Sequence, residues 1–151
     1  MSIIDNSIQN IQIDITIKEK LELEPTSKTI KSIFISKTME ENIFVEHSIT
    51  CMEFDEIVAE KTRASLTRSQ PAIRDFFDIW YIKTFTKFDF GRIVNLIEIK
   101  LEEVDYKYTI DESFDILNGQ IKTDLKPVLK KDFDFDLQEI FKFIKQLKIK
   151  K

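Results

Sequence analysis

Two neighbouring stretches decide the fold, FDEIVAEKTRASLTR at residues 54–68 and IRDFFDIWY at residues 73–81. In both, apolar side chains recur every three or four positions, which is the period of an amphipathic α-helix. Pro71 precedes the second stretch and suits the first turn of a helix, where its missing N–H is not needed. The sequence therefore predicts two consecutive helices joined by a short connection.

The chain before residue 50 has a different period. Residues 10–17 alternate strictly between isoleucine and polar side chains, and residues 44–49 alternate again. Alternation of this kind is typical of strands that are buried on one face. Residues 26–42 are rich in serine, threonine and lysine with one apolar patch at residues 33–35, and predict a loop or a short strand. Thr50 and Glu53 have the spacing of a capping box, so we expect the first helix to begin there.

Helical spacing returns in the remainder of the chain. An acidic run ends in Asp134 and Asp136, either of which could cap the last helix. The sequence thus predicts an α+β fold in a single domain, residues 1–151, with a small antiparallel sheet in residues 1–50 and a helical bundle in residues 51–151. The later helices are expected at residues 89–104, 111–118, 120–130 and 136–149.

Composition excludes several functional classes. The 151 residues carry a net charge of −4, which argues against a surface that coats nucleic acid. One cysteine and one histidine exclude a disulfide scaffold and a Cys/His zinc site. Two glycines are too few for a glycine-rich phosphate loop. No run of 18 apolar residues occurs, so we expect a cytoplasmic protein with no membrane partner.

Lys61 has an unusual position, because it lies within the apolar stripe of the first predicted helix. An unpartnered buried ammonium is costly, so this lysine should meet an anion or lie at a cleft. The alternative is a lysine whose stem packs while its charged head reaches water. Arg68 lies seven residues later on the same face, which favours an anion site.

The start of the second predicted helix is also charged. The chain has only four arginines, three of them within residues 63–74, in a sequence otherwise rich in lysine. A guanidinium offers a planar fork for phosphate or carboxylate groups that an ammonium does not. Arg74, Asp75 and Asp78 can converge within one turn of helix. This set is either a solvated ion pair between residues one turn apart or part of a site for a phosphate-bearing substrate.

These residues resemble a known family. Residues 51–68, CMEFDEIVAEKTRASLTR, and residues 74–81, RDFFDIWY, look like the helix pair of the AbiEii/AbiGii toxin family of nucleotidyltransferases. Upstream, residues 11–15 and the stretch ending in Pro25 are similar to the family's core strand and the loop after it. The resemblance covers about residues 10–82 and implies a polymerase-β-like nucleotidyltransferase core within the α+β fold.

The resemblance also implies an activity and a site. Members are toxins of toxin–antitoxin or phage-defence systems, thought to transfer nucleotides from a nucleoside triphosphate to RNA with Mg²⁺. Lys61 would be catalytic and contact the phosphates, helped by Arg68 and Arg74. Asp75 and Asp78 would face the active site as catalytic carboxylates, and Asp14 would be a metal ligand. Two metal ions bound by carboxylates are a known device for such transfers.

The family's Gly-Ser and Asp-x-Asp motifs lie N-terminal to the region of resemblance, and the nine residues before the strand at Asn10 contain neither motif. We therefore expect a truncated or split form with little activity alone, whose partner is an N-terminal half or an antitoxin. Its sheet should have an uncovered edge, through which a homodimer could form. The alternative is a non-catalytic interaction module that binds a partner or RNA. A third possibility is a plain α+β domain in which Lys61 and residues 74–78 are structural.

Overall fold

The computed structural model describes residues 20–30, 46–104, 110–129 and 133–150. The predicted strand at residues 10–17 lies outside these ranges, and so does Asp14. The predicted role of Asp14 as a metal ligand is therefore not part of the description that follows.

Two strands form an antiparallel pair ahead of the helices. Strand β1 spans Thr26–Ile30 and strand β2 spans His47–Cys51, with Thr26 opposite Cys51 and Ile30 opposite His47. Most side chains of both strands are exposed, so within the described residues this pair contributes little to the core. The strands lie in the part of the chain predicted to hold the sheet, and the α+β class is confirmed.

The predicted helix pair is present. Helix α1 spans Phe54–Thr67 and helix α2 spans Ile73–Phe85. The predicted capping box is wrong, because Thr50 pairs with Ser27 in the sheet and so has an extended backbone. The carboxylate of Glu53 accepts the Phe54 N–H instead and caps α1. Helix α2 begins two residues after Pro71, whose expected place in the first turn was also wrong.

Three further helices complete the bundle. Helix α3, Val94–Glu102, follows a 3₁₀ turn at Phe90–Ile93. Helix α4, Phe114–Gln120, runs directly into a π-helical turn at Ile121–Leu125 and a 3₁₀ turn at Lys126–Val128. Helix α5 spans Leu137–Gln146, and the predicted cap is confirmed in Asp136, which accepts the Gln138 N–H at 2.7 Å.

The core lies between the helices, and all five contribute to it. Fully buried side chains include Val58, Phe76, Ile97, Leu117 and Ile140, one from each helix. Within the described residues, no helix is long and apolar enough to cross a membrane.

The end of α5 contains a backbone conformation that suggests a stabilising substitution. Lys148 follows the helix with a φ of 52°, in the left-handed region that glycine adopts without cost. We expect Lys148→Gly to raise the free energy of unfolding by about 0.5–1 kcal/mol. Urea unfolding followed by circular dichroism measures this gain. Lys142→Gly, the same change inside α5, should instead lower stability by about 1 kcal/mol, and equal effects at both positions would contradict the explanation.

Candidate functional site

The end of α1, with Arg68 as its C-cap, faces the beginning of α2, because the two helices are joined by the short connection at residues 69–72. The Lys61 ammonium on α1 lies 2.6 Å from the Asp78 carboxylate on α2. Both side chains are 41% exposed, so Lys61 is half-buried rather than enclosed in the core. The position of Lys61 in the apolar stripe therefore directs its side chain toward α2, where it pairs with Asp78.

A second ion pair joins the same two helices closer to the connection. The Arg68 guanidinium lies 2.7 Å from the Asp75 carboxylate, which is only 6% exposed. Burial raises the pKa of Asp75 above its usual value, although the positive charge of Arg68 acts in the opposite direction. Arg68 itself remains half exposed and can be reached by a ligand.

Arg74 differs from its neighbours. Its side chain is exposed, and among the described residues it forms no ion pair. The ion pair between Arg74 and Asp78 that their spacing allows is not made, since Asp78 pairs with Lys61 instead. Each acid of α2 is thus held by a cation of α1, and Arg74 is left with its positive charge available.

These five charged residues line one cleft, which we call the cation cleft. Its volume is about 450 Å³, and it is lined by Lys61, Arg68, Arg74, Asp75 and Asp78. Its apolar lining comes from α2 and from the segment after α4, through Phe77, Leu125, Val128 and Leu129. The cleft has one more positive than negative side chain, so it suits an anionic ligand that also carries an apolar group.

The cation cleft does not fit the Mg²⁺ that the sequence resemblance implies. Its two carboxylates are engaged by Lys61 and Arg68, which compete for the oxygen atoms that a metal ion would need. Across the described ranges, no three acidic, histidine or cysteine side chains converge as in a metal site. Asp14, the predicted metal ligand, lies outside those ranges.

The sequence analysis missed a buried ionic network. Lys100 on α3 is fully buried, and its ammonium lies 2.8 Å from Glu56 and 3.0 Å from Glu60, both on α1. It also donates a hydrogen bond to the backbone carbonyl of Lys20. Lys100 follows Ile97 by three positions on the apolar stripe of α3, which is the same signal that singled out Lys61.

Glu56 ties an N-terminal segment to the network. Its fully buried carboxylate accepts the backbone N–H of Glu22 at 2.7 Å and of Leu23 at 2.9 Å. Burial acts to raise the pKa of Glu56, but Lys100 and the two backbone N–H groups together hold it below its usual value. Burial likewise opposes the charge on Lys100, yet its acidic partners raise the pKa of the ammonium. The network is therefore charged at neutral pH, and its buried position makes it part of the scaffold.

Comparison with known proteins adds one match. The model of a family described as "Nucleotidyl transferase AbiEii toxin, Type IV TA system" matches residues 2–147. No curated protein and no solved structure matches the chain. The match extends well past residue 82, where the resemblance seen in the sequence ended, and so includes helices α3 to α5.

Proposed function

Since the chain belongs to the AbiEii family of nucleotidyl transferase toxins, we propose that the cation cleft binds the phosphates of a nucleoside triphosphate. One observation carries the proposal. Lys61, Arg68 and Arg74 come from two helices and line a single cleft of about 450 Å³. Charge-assisted hydrogen bonds from guanidinium and ammonium groups are the usual means of holding phosphate oxygens.

Little free energy is needed to break the ion pair between Lys61 and Asp78, so the Lys61 ammonium can bind a phosphate instead. Its pair with Asp78 is half exposed on both sides, and pairs of this kind contribute only about 0.2–1 kcal/mol. A triphosphate carries several negative charges and competes well with one carboxylate for the ammonium. We infer that Lys61 exchanges Asp78 for a phosphate oxygen when nucleotide binds.

Arg68 has a different role in the proposal. Its partner Asp75 is almost fully buried and therefore holds one edge of the guanidinium in place. The exposed part of Arg68 then presents its remaining N–H groups to the cleft. Arg74, with no ion pair in the described part of the chain, supplies a further cation. Phe77 and Val128 offer an apolar wall for the nucleobase.

The transfer reaction needs more than these cations. We propose an RNA acceptor, as the sequence resemblance implies, and an antitoxin that opposes the chain, as expected for a toxin of a Type IV system. A metal ion would require carboxylates from outside the described residues, with Asp14 as the candidate. Because the described residues do not fit a metal ion, we derive no step through it.

Lys61→Met tests the proposed nucleotide site. We expect the dissociation constant for ATP, measured by calorimetric titration, to rise about 10- to 150-fold, because a hydrogen bond to a charged group is lost. The free energy of unfolding should change by less than about 1 kcal/mol, since the Lys61–Asp78 pair is half exposed. Methionine fills the space of the lysine stem without a charge.

Lys83→Met is the matched control. Lys83 lies on α2 and pairs with Glu139 at 2.7 Å, but it does not line the cation cleft. Its replacement should leave ATP affinity unchanged. A loss of about 3–5 kcal/mol in Lys61→Met, with no ATP binding by the parent protein, would instead identify Lys61 as a structural residue and contradict the proposal.

A second candidate function is a module that binds without transferring nucleotides. It is favoured by the pairing of both cleft carboxylates, Asp75 and Asp78, with cations. The two candidates differ in one measurement, the incorporation of labelled nucleotide into RNA by the purified chain with Mg²⁺. ATP binding with no incorporation, alone or with cellular RNA and protein partners added, supports the binding module. Incorporation that Lys61→Met abolishes supports the transferase.

A further inference from the structure

The connection between α1 and α2 is held by a residue from a distant part of the chain. Gln120, the last residue of α4, accepts the Ile73 N–H at 2.8 Å through its side-chain oxygen. Its side-chain nitrogen donates to the Pro71 carbonyl at 3.0 Å. The side-chain amide of Gln120 therefore binds the backbone on both sides of Ala72. These two hydrogen bonds use the acceptor of the amide and one of its two donors.

This contact replaces a missing helix cap. The first N–H groups of an α-helix have no partner within the helix, and a polar side chain at the N-cap position usually satisfies one of them. The N-cap of α2 is Ala72, which has no polar group to offer. Gln120 supplies the acceptor from 47 positions later in the sequence. The start of α2 is thus fixed by α4 and not by its own cap.

The connection fixed by Gln120 lies between two of the three cations of the cleft. Arg68 immediately precedes it, and Arg74 and Asp75 occupy the first turn of α2. Gln120 itself does not line the cation cleft, but it lines a neighbouring depression together with Arg68 and Arg74. A change in the path of residues 68–72 would therefore alter the distance between Arg68 and Asp75, now 2.7 Å.

We propose that Gln120 is a positioning residue for the cation cleft, whose side-chain amide sets the spacing of Arg68, Arg74 and Asp75 by holding the backbone around Ala72. The inference rests on the proposed function where nucleotide binding is concerned. The spacing itself is a property of the protein and can be measured without a nucleotide. Geometry matters in such sites, because a guanidinium binds phosphate oxygens through a rigid fork of N–H groups that must be correctly oriented.

The test uses Gln120→Met, which keeps the length of the side chain and removes both hydrogen bonds. Two quantities are measured on the full chain: the dissociation constant for ATP and the titration of the Asp75 carboxyl, followed by ¹³C NMR. We expect ATP affinity to fall about tenfold, the lower end of the range for losing one hydrogen bond to a charged group. The Asp75 midpoint should move upward, as it also should in Arg68→Met, because the nearby positive charge is lost.

Gln146→Met is the matched control, since Gln146 ends α5 as Gln120 ends α4 but is exposed. It should change neither quantity. If Gln120→Met does not fold, Gln120→Asn, which is one carbon too short to bind both backbone groups, is expected to give the same two shifts.

The proposal is overturned if a folded Gln120 variant keeps the parent's Asp75 titration. It is also overturned if ATP binds that variant as tightly as the parent. Failure of the parent to bind ATP would count against the proposed function alone, and the Asp75 titration would then decide the role of Gln120.

Discussion

Lys100→Met is expected to lower the free energy of unfolding by about 3–5 kcal/mol, the usual cost of removing one partner from a buried ion pair. The variant leaves the fully buried carboxylate of Glu56 without its cation. Glu60, which lies 3.0 Å from Lys100, loses a partner as well but keeps Arg63 at 2.7 Å. For a chain of this size, the melting temperature should fall by about 6–20 °C.

Two further variants separate the ionic effect from packing. Lys142→Met changes an exposed lysine of α5 and should be nearly neutral. Glu56→Gln combined with Lys100→Met should cost less than the sum of the single changes, because the neutral amide leaves no buried charge without a partner and its oxygen still accepts one of the N–H groups of Glu22 and Leu23. A Lys100→Met variant as stable as Lys142→Met would refute the assigned role of the network.

The effect of Lys100→Met should also depend on pH. The pKa of Glu56 is lowered in the folded protein, so its contribution to stability is present above its ordinary value of 4.5 and is lost as pH falls through the folded pKa. In the variant, burial without the cation raises the pKa of Glu56, so the difference in stability between parent and Lys100→Met should begin to shrink as pH falls through that raised pKa and should go on shrinking below pH 4.5. Toward alkaline pH the difference should persist to about pH 10, because the pKa of Lys100 is raised above 10.5.

Phe76→Ala is the second change with a large expected effect. Phe76 on α2 is fully buried, and its ring centroid lies 5.4 Å from that of Phe141 on α5. Truncation should cost about 3–5 kcal/mol, because it leaves a cavity between the two helices.

Phe85→Ala provides the comparison on the same helix. Phe85 lies at the end of α2, and its side chain is 55% exposed. Since surface substitutions usually change stability little, this variant should lose less than about 1 kcal/mol. Chemical denaturation of both variants measures the difference. Similar losses for the two would show that burial of the Phe76 ring is not what attaches α5 to α2.

The helices could be predicted because their signals are local. The period of apolar residues located α1 and α2, although both helices begin a few residues later than expected, and Asp136 was among the expected caps of α5. The capping box at Thr50 failed for a non-local reason, since pairing with Ser27 keeps Thr50 in a strand. A capping pattern in four residues carries no information about a strand more than twenty positions away.

The candidate site was predictable as a set of residues but not as a set of pairs. All five described candidates line the cation cleft. Their spacing suggested a pair between Arg74 and Asp78 within α2, whereas both acids bind cations of α1. Such pairings depend on how the helices pack against each other, and the spacing of residues within one helix does not reveal that packing. The same applies to Lys100. Its position on the apolar stripe of α3 can be seen in the sequence, but its partner Glu56 lies 44 positions away and cannot be identified from the spacing.

The buried network also bears on the order in which the chain folds. Helices α1 and α2 adjoin in sequence, so the contact of Lys61 with Asp78 closes a short loop of 17 residues. The hydrogen bond from Lys100 to the Lys20 carbonyl spans 80 residues. The longer loop costs only about 1.4 kcal/mol more entropy. However, the backbone of residues 20–23 binds the side chains of Lys100 and Glu56. These two side chains come together only after α1 and α3 have packed. We therefore expect this segment to dock late in folding, onto α1 and α3 that have already packed together.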